Sequence, residues 1–252
     1  MKKLLGILVL GLVLTFSSNG ISGEMNVFKK KIKLPEDIMQ GYKNVWNFCC
    51  NFDPETRLTP DHAFKFVNKT EGHPVRLGEQ SIRFELRRGD CGVSSGGYDD
   101  CAIKSSSGMT SERHELLLDP DVSPFKKITW NTYSIFLPED FPLLDPHFMP
   151  AGHITMGQLH GDGDGAVGFQ WDIGEGGGYV VNRRTGCFLP ENKKRKCSVS
   201  NSQNNTQEVI PKDKLLGKWH DIVLNVNWTK KQDGYLKQWI NGQLVYHYQG
   251  NT

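Results

Sequence analysis

Residues 81–87 read Ser-Ile-Arg-Phe-Glu-Leu-Arg, an alternation of apolar and charged side chains. Alternation with a period of two is typical of a β-strand that buries one face. The buried face would carry the three apolar residues Ile82, Phe84 and Leu86. The other face would carry Arg83, Glu85 and Arg87, which a solvated strand face could accommodate. The stretch therefore indicates a sheet.

The same alternation recurs at residues 128–137, 154–160, 167–173 and 220–228. Within residues 167–173, Trp171 shares its face with Val167, Phe169 and Ile173, so we expect it in the core. Asn241-Gly242 separates two further strand patterns, and this pair tolerates positive φ at both positions of a two-residue hairpin turn. Long helical periodicity is absent from the sequence, and Gly, Pro, Asn and Asp lie between the strand patterns. These features predict an all-β fold, a jelly-roll β-sandwich of two antiparallel sheets.

The start of the chain has the features of a secretory signal peptide. Lys2 and Lys3 precede an apolar run over residues 4–16, and small residues follow at Ser18, Gly20 and Gly23. We expect residues 1–23 to be removed and residues 24–252 to form one domain, because sandwiches of this length fold around a single core. The apolar run is shorter than the about 20 residues that span a bilayer, so we expect a secreted or periplasmic protein without a membrane anchor.

The charge and the cysteine content of the chain give only partial information about its binding partners and its cellular compartment. Lys and Arg number 30 and Asp and Glu 28, so net charge identifies no partner. The six cysteines of an exported chain are expected to form disulfides. Cys91 with Cys101 and Cys187 with Cys197 would each close a short loop, whereas the adjacent Cys49 and Cys50 would bond elsewhere, and the sequence leaves the pairing open.

Metal binding has weaker support in the sequence. No Cys-x-x-Cys pair occurs, so no metal ligands are assigned. The run Gly161-Asp162-Gly163-Asp164-Gly165 resembles the start of a calcium loop, but Ile173 stands where an EF-hand needs its glutamate. We expect no required cofactor, and a structural calcium ion elsewhere stays open.

Two short segments place polar side chains together. Strand alternation puts Gln158 and His160 on one face of residues 157–160, and it puts Arg113 and Glu115 on one face of residues 111–116. If both faces line the concave side of one sheet, Arg113, Gln158 and His160 converge on a groove. Each set also has a structural interpretation, since Arg113 and Glu115 could form a surface ion pair and Gln158 and His160 could be ordinary polar positions.

These segments resemble motifs of the jelly-roll polysaccharide lyases, which have a concanavalin-like sandwich. Arg113-His114-Glu115-Leu116 is similar to the Arg-(Ser/Thr)-Glu-Leu strand of the heparin lyase I-like family, and Gln158-Leu159-His160 is similar to its Gln-Ile-His strand. The resemblance to the alginate and glucuronan lyases is more distant. It covers most of the chain from about residue 30, and His114 replaces the usual small hydroxyl residue.

The resemblance implies β-elimination on a uronate-containing acidic polysaccharide. A base removes the ring proton next to the carboxylate, and the bond at C4 then breaks to leave an unsaturated sugar. Arg113 and Gln158 would stabilise the charge that develops on the carboxylate, and His160 would be the base, because imidazole titrates near neutral pH. Four further residues are candidates for substrate binding: Glu115, Arg83, Arg87 and Gln170.

One family feature has no counterpart in the sequence. The family carries a late Tyr-Phe-Lys-x-Gly-x-Tyr strand with a tyrosine proton donor, whereas this chain ends at Thr252 after the predicted hairpin. We therefore expect either that the chain lacks its last strand or that its activity is impaired or differently organised. The role of that tyrosine is not transferred to Tyr246 or Tyr248.

Two rival functions are compatible with the same scaffold. A retaining glycoside hydrolase needs two carboxylates on one strand face, but Gln170 stands where residues 170–175 would place the nucleophile. A non-catalytic carbohydrate-binding protein would use the same concave face only to hold a glycan. For the lyase, we expect a monomer whose partner is an acidic polysaccharide, with no nucleic acid and no membrane involved.

Overall fold

In a computed structural model of the protein, the described residues are 6–11, 23–27, 30–34, 46–49, 62–92, 99–102, 112–118, 128–143, 154–160, 167–185, 203–229 and 231–252. They divide between two compact units. The first comprises Met1–Ser123 and Tyr133–Pro142, and the second comprises Pro124–Thr132 and Leu143–Thr252. The expectation of one domain over residues 24–252 stays a prediction.

Regular structure among the described residues consists of fifteen β-strands and short 3-10 turns. The strands are β1 (Gly6–Gly11), β2 (Gly23–Val27), β3 (Lys30–Leu34), β4 (Trp46–Cys49), β5 (Phe64–Asn68), β6 (Gln80–Leu86), β7 (Glu115–Leu118), β8 (Ile128–Phe136), β9 (Ile154–His160), β10 (Val167–Ile173), β11 (Tyr179–Thr185), β12 (Gln203–Ile210), β13 (Trp219–Asn227), β14 (Tyr235–Ile240) and β15 (Gln243–Gln249). Within this part of the chain, no helix is long and apolar enough to cross a membrane.

The first unit is built from antiparallel pairs. β6 pairs with β5 on one side and with β1 on the other, and β1 also pairs with the end of β8. Two further pairs join β2 with β3 and β4 with β7. Residues 6–11, which lie in the predicted signal peptide, thus form a strand in this structure, and the prediction that residues 1–23 are removed stays a prediction.

The second unit contains two antiparallel sheets. One has the strand order β12-β11-β10-β9, and the other contains β13, β14 and β15 in chain order. Asn241 and Gly242 connect β14 to β15 with φ values of 51° and 81°, which confirms the predicted two-residue hairpin. Asn and Gly adopt this left-handed conformation at the lowest steric cost.

Apolar side chains fill the space between these two sheets. Phe169, Trp171 and Ile173 alternate along β10 and have relative exposures of 0%, 1% and 0%. The Trp171 indole donates a hydrogen bond to Gln238 Oε1 on β14 at 2.9 Å, and the Phe169 ring contacts Tyr248 on β15. The second unit is therefore a two-layer sandwich, and the predicted all-β, antiparallel jelly-roll class is confirmed.

The predicted strands match the observed ones with one correction. β9 and β10 have the predicted bounds, and Trp171 lies in the core as its face predicts. The predicted strand over residues 111–116 instead begins at Glu115. Before this point the backbone N–H of Arg113 donates to the carbonyl of Asp90, in a contact outside the strand pairing.

His220, a buried residue of β13, gives a test of this core. Its ring Nε2 lies 3.0 Å from the Leu215 carbonyl oxygen, and burial lowers the pKa of the imidazole below 6.5 although the Leu215 carbonyl acts in the opposite direction. The unfolded chain therefore binds a proton on His220 at a higher pH than the folded chain does. It follows that the free energy of unfolding decreases as the pH falls below 6.5 toward the folded pKa.

We expect His220→Gln to weaken this pH dependence, because the amide can keep a donor near Leu215 but does not titrate. The measurement is urea unfolding of both proteins at about pH 7.5 and about pH 5.5, on either side of the ordinary histidine pKa. The wild-type midpoint should fall more between the two conditions than the variant midpoint. Equal shifts would show that His220 is not a source of the acid sensitivity.

Candidate functional site

A row of polar side chains crosses the four-stranded sheet of the second unit. Gln158 on β9 is paired with Gln170 on β10, Gln170 with Asn182 on β11, and Asn182 with Thr206 on β12. Residues paired directly across strands share a face of the sheet. With strands about 4.8 Å apart, the row is about 15 Å long. It presents amides and a hydroxyl, the groups that hydrogen-bond to sugar hydroxyls.

Gln170 is the buried member of this row. Its side-chain amide donates to Thr155 Oγ1 at 2.9 Å and to Asp172 Oδ1 at 2.8 Å, and the residue is 5% exposed. Asp172 also accepts a hydrogen bond from Asn182, and Asn182 accepts one from Thr206. Gln170 was predicted to bind substrate. In this structure its side chain hydrogen-bonds to Thr155 and Asp172, and so it positions these two neighbours.

The surroundings of Asp172 test the alternative that the protein is a retaining glycoside hydrolase. Both of its carboxylate oxygens accept hydrogen bonds from amides, and the residue is 1% exposed. A nucleophilic carboxylate has to face the sugar. Asp172 is instead enclosed by Gln170 and Asn182, which argues against this role.

Gln158 and His160 lie on β9 as predicted. Gln158 is partly exposed at the β9 end of the polar row. The backbone of His160 is paired with that of Val167 on β10, and strand alternation places residues 158 and 160 on the same face. The His160 side chain lies outside the described residues, so its role stays a prediction.

In the first unit, Arg113 is held by two acids. Its Nε donates to Asp100 Oδ2 at 2.6 Å, and its Nη2 donates to Asp100 Oδ1. Nη1 lies 3.8 Å from Glu115 Oε1, so the ion pair considered from the sequence is present. Asp100 is fully buried, while the Arg113 side chain is 32% exposed. Asp100 thus fixes one edge of the guanidinium, and the Arg113 side chain stays partly exposed to solvent.

A disulfide lies beside this ion pair. Cys91 and Cys101 are bonded with their Cα atoms 5.1 Å apart, which confirms the first of the two short loops. Asp100 precedes Cys101, and its N–H donates to the Gly92 carbonyl. The bond therefore holds the partner of Arg113 in place. The pairing of Cys187 with Cys197, and the side chains of Cys49 and Cys50, lie outside the described residues.

The charged face of β6 is partly buried, whereas the sequence predicted a solvated face. Glu85 is 1% exposed and accepts from Arg83 Nη2 at 2.8 Å and from Arg87 Nε at 2.6 Å. The Arg83 side chain is 14% exposed and that of Arg87 45% exposed. Both arginines were predicted to bind substrate, and in this structure they neutralise a buried carboxylate.

Three residues that the sequence did not single out as a group come together in the first unit. Asp90 Oδ2 lies 2.9 Å from His62 Nε2 and 3.0 Å from His114 Nε2. Burial would raise the pKa of Asp90, but contacts with His114, His62 and the Arg87 N–H outweigh it and lower the pKa to about 2. His62 and His114 lie 28 and 24 positions from Asp90 in the sequence, so no local motif could reveal the group.

His114 also explains a departure from the predicted strand. Strand alternation would place Glu112 and His114 on one face, but Glu112 accepts from the Gly89 N–H, while the His114 side chain is 2% exposed and contacts Asp90. His114 thus belongs to the cluster with Asp90 and His62.

The aromatic candidates have structural contacts in the second unit. The Tyr248 hydroxyl donates to the Asn251 carbonyl, and burial raises the pKa of the Tyr246 phenol, although Arg183 acts against this. Trp239 stacks on the exposed Trp130, with ring centroids 5.8 Å apart.

Comparison with known proteins adds family information. The family model described as polysaccharide lyase matches residues 67–252, well over half of the chain. A solved structure of an endo-β-1,4-glucuronan lyase from the fungus Trichoderma reesei is similar at 13% identity with a TM-score of 0.45, covering 81% of this chain and 76% of that chain. A search of curated proteins found no match.

Proposed function

This chain belongs to the polysaccharide lyase family, and we propose that it cleaves a uronate-containing acidic polysaccharide by β-elimination. The observation that carries the proposal is the family match over residues 67–252, which includes Arg113, Gln158 and His160. Within the family, we propose a relationship to the heparin lyase I-like members on the Arg-His-Glu-Leu and Gln-Leu-His segments.

The reaction requires help at the uronate carboxylate. Removal of the neighbouring ring proton places negative charge on that carboxylate, and a fixed cation or amide lowers the barrier by stabilising the charge as it forms. Arg113 suits this role, because Asp100 fixes its Nε and Nη2 edge and leaves the Nη1 end beside the partly exposed Glu115. Gln158 would supply an amide donor.

Proton removal requires a base with a pKa near the working pH. His160 follows Gln158 by two positions on β9, and strand alternation predicts the same face for both residues. The base takes the ring proton, and the electron pair of that C–H bond forms the new ring double bond. The C4–O bond breaks, and its electrons stay on the glycosidic oxygen, which takes up a proton from the protonated base or from water. Imidazole carries this proton well near neutral pH.

Substrate binding would use the polar row of the second unit, defined by Gln158, Gln170, Asn182 and Thr206. Thr206 is its exposed member, Gln158 and Asn182 are partly exposed, and Gln170 and Asn182 are both held by Asp172. The row is long enough for several sugar units to lie across the strands. We propose that the protein works as a secreted or periplasmic monomer. Its disulfide and the predicted signal peptide support the export.

The test is incubation of the purified protein with glucuronan, alginate and heparin-like polymers while the absorbance of the unsaturated product is followed. We expect absorbance to rise with at least one of them. The matched control is the same polymer with its carboxylates chemically reduced to alcohols, which should give no product because the ring proton is then no longer acidic.

Two results would contradict the proposal. New reducing ends without the absorbing double bond would indicate hydrolysis. Binding of uronate polymers without any product would leave a carbohydrate-binding protein, the second rival identified from the sequence.

A further inference from the structure

We propose that His62, Asp90 and His114 form a binding site for a divalent transition-metal ion of the Zn²⁺ class. The two imidazole Nε2 atoms and a carboxylate oxygen of Asp90 all lie within 4.8 Å of one another. None of the site's three residues belongs to the polar row or to the residues proposed for the elimination. It also does not depend on the proposed function.

The spacing of the three atoms is close to that of a metal site. Zinc bonds nitrogen and oxygen at about 2.0–2.2 Å, so two ligands in a tetrahedral arrangement are about 3.4 Å apart. The Asp90 oxygen lies 2.9 Å and 3.0 Å from the two Nε2 atoms. An outward shift of about 0.4 Å at each ring would therefore admit an ion at tetrahedral spacing.

The hydrogen bonding of Asp90 favours an ion over a purely hydrogen-bonded cluster. Besides the two imidazoles, the Arg87 N–H lies 2.5 Å from the same Oδ2 atom. A carboxylate oxygen offers about two lone-pair sites, yet three nitrogen atoms approach this one. A single ion bound by Oδ2 and both Nε2 atoms would use one lone pair and leave the other to Arg87.

The donor set decides which ion fits. Two imidazole nitrogens and one carboxylate suit zinc and its first-row neighbours, whereas calcium and magnesium take oxygen ligands almost throughout. Three protein ligands leave a fourth position, which a water molecule would occupy. The side chains of His114, Asp90 and His62 are 2%, 10% and 16% exposed, so the ion would enter from the His62 side.

The site would connect three separate segments of the first unit. His62 precedes β5, Asp90 follows β6 and His114 precedes β7. The Arg113 N–H donates to the Asp90 carbonyl, so the ion would also brace the backbone that carries Arg113. The family match begins at residue 67, so it does not include His62.

The test is calorimetric titration of metal-free purified protein with Zn²⁺, and with Ca²⁺ as the comparison ion. We expect one Zn²⁺ per chain and no matching Ca²⁺ binding. Loss of a direct ligand should exceed the about 10–100-fold effect known for residues that only orient a ligand, so His62→Ala should weaken Zn²⁺ binding at least about 100-fold. The control is His247→Ala, which removes an exposed histidine of β15 and should leave the affinity unchanged.

A second measurement keeps the proposal testable if His62→Ala does not fold. X-ray absorption of the zinc-loaded wild-type protein should show two imidazole ligands together with oxygen. Failure to bind one Zn²⁺ per chain, equal affinity in His62→Ala and wild type, or an absorption spectrum without two imidazoles would each overturn the proposal.

Discussion

Replacement of His160 by alanine is expected to lower the rate of elimination about 10²–10⁴-fold, the range that a positioned general base contributes. The affinity for the polymer should change by less than about threefold, because a general base acts on the proton transferred in the transition state and contributes little to ground-state binding. Single-turnover absorbance measures the rate, and equilibrium titration with the polymer measures the affinity.

The control for this variant is again His247→Ala on β15, whose side chain is exposed. Its rate and affinity should both match the wild type. If His160→Ala kept the wild-type rate, the base would have to be another residue. If it lost affinity and rate in equal proportion, His160 would be a binding residue.

Replacement of Glu85 by alanine is expected to lower the free energy of unfolding by about 3–5 kcal/mol, the cost of leaving buried charges without their partner. Glu85 is 1% exposed and bonds both Arg83 and Arg87, so its loss leaves the largely buried Arg83 and the half-exposed Arg87 without their shared partner. Glu85→Gln should cost less, because the amide oxygen can still accept one hydrogen bond. Urea unfolding followed by circular dichroism gives the measurement.

Glu79→Ala is the matched control, because Glu79 is an exposed glutamate just before β6. Its stability should stay within about 0.5 kcal/mol of wild type. An unfolding midpoint for Glu85→Ala equal to that of the control would mean that water, rather than the two arginines, satisfies this carboxylate.

The fold could be predicted where the signal is local. Alternation gave the bounds of β9 and β10, and Asn241-Gly242 gave the hairpin, because side-chain direction and turn conformation depend on neighbouring residues. The core position of Trp171 followed from its strand face. Elsewhere, tertiary contacts override the local strand pattern. Residues 112–114 continue a strand pattern in the sequence, yet they bond to Asp90 and Gly89 instead.

The site was predictable only in part for the same reason. Gln158 and Gln170 were both chosen from the sequence, but their pairing across β9 and β10 depends on a register that no local pattern reveals. Asp100 could not be linked to Arg113 across 13 positions. Glu85 was assigned to a solvated face because charge normally indicates exposure, but residues two apart on a strand share a face, and two arginines there allow a carboxylate to be buried.

The most direct test of the central claim is to digest a susceptible uronate polymer in heavy-oxygen water and to weigh the products by mass spectrometry. Elimination consumes no water, so we predict oligosaccharides that carry an unsaturated end, contain no heavy oxygen from bond cleavage, and are lighter by one water than hydrolysis products. Products of hydrolytic mass with heavy oxygen at the new reducing end would contradict the account.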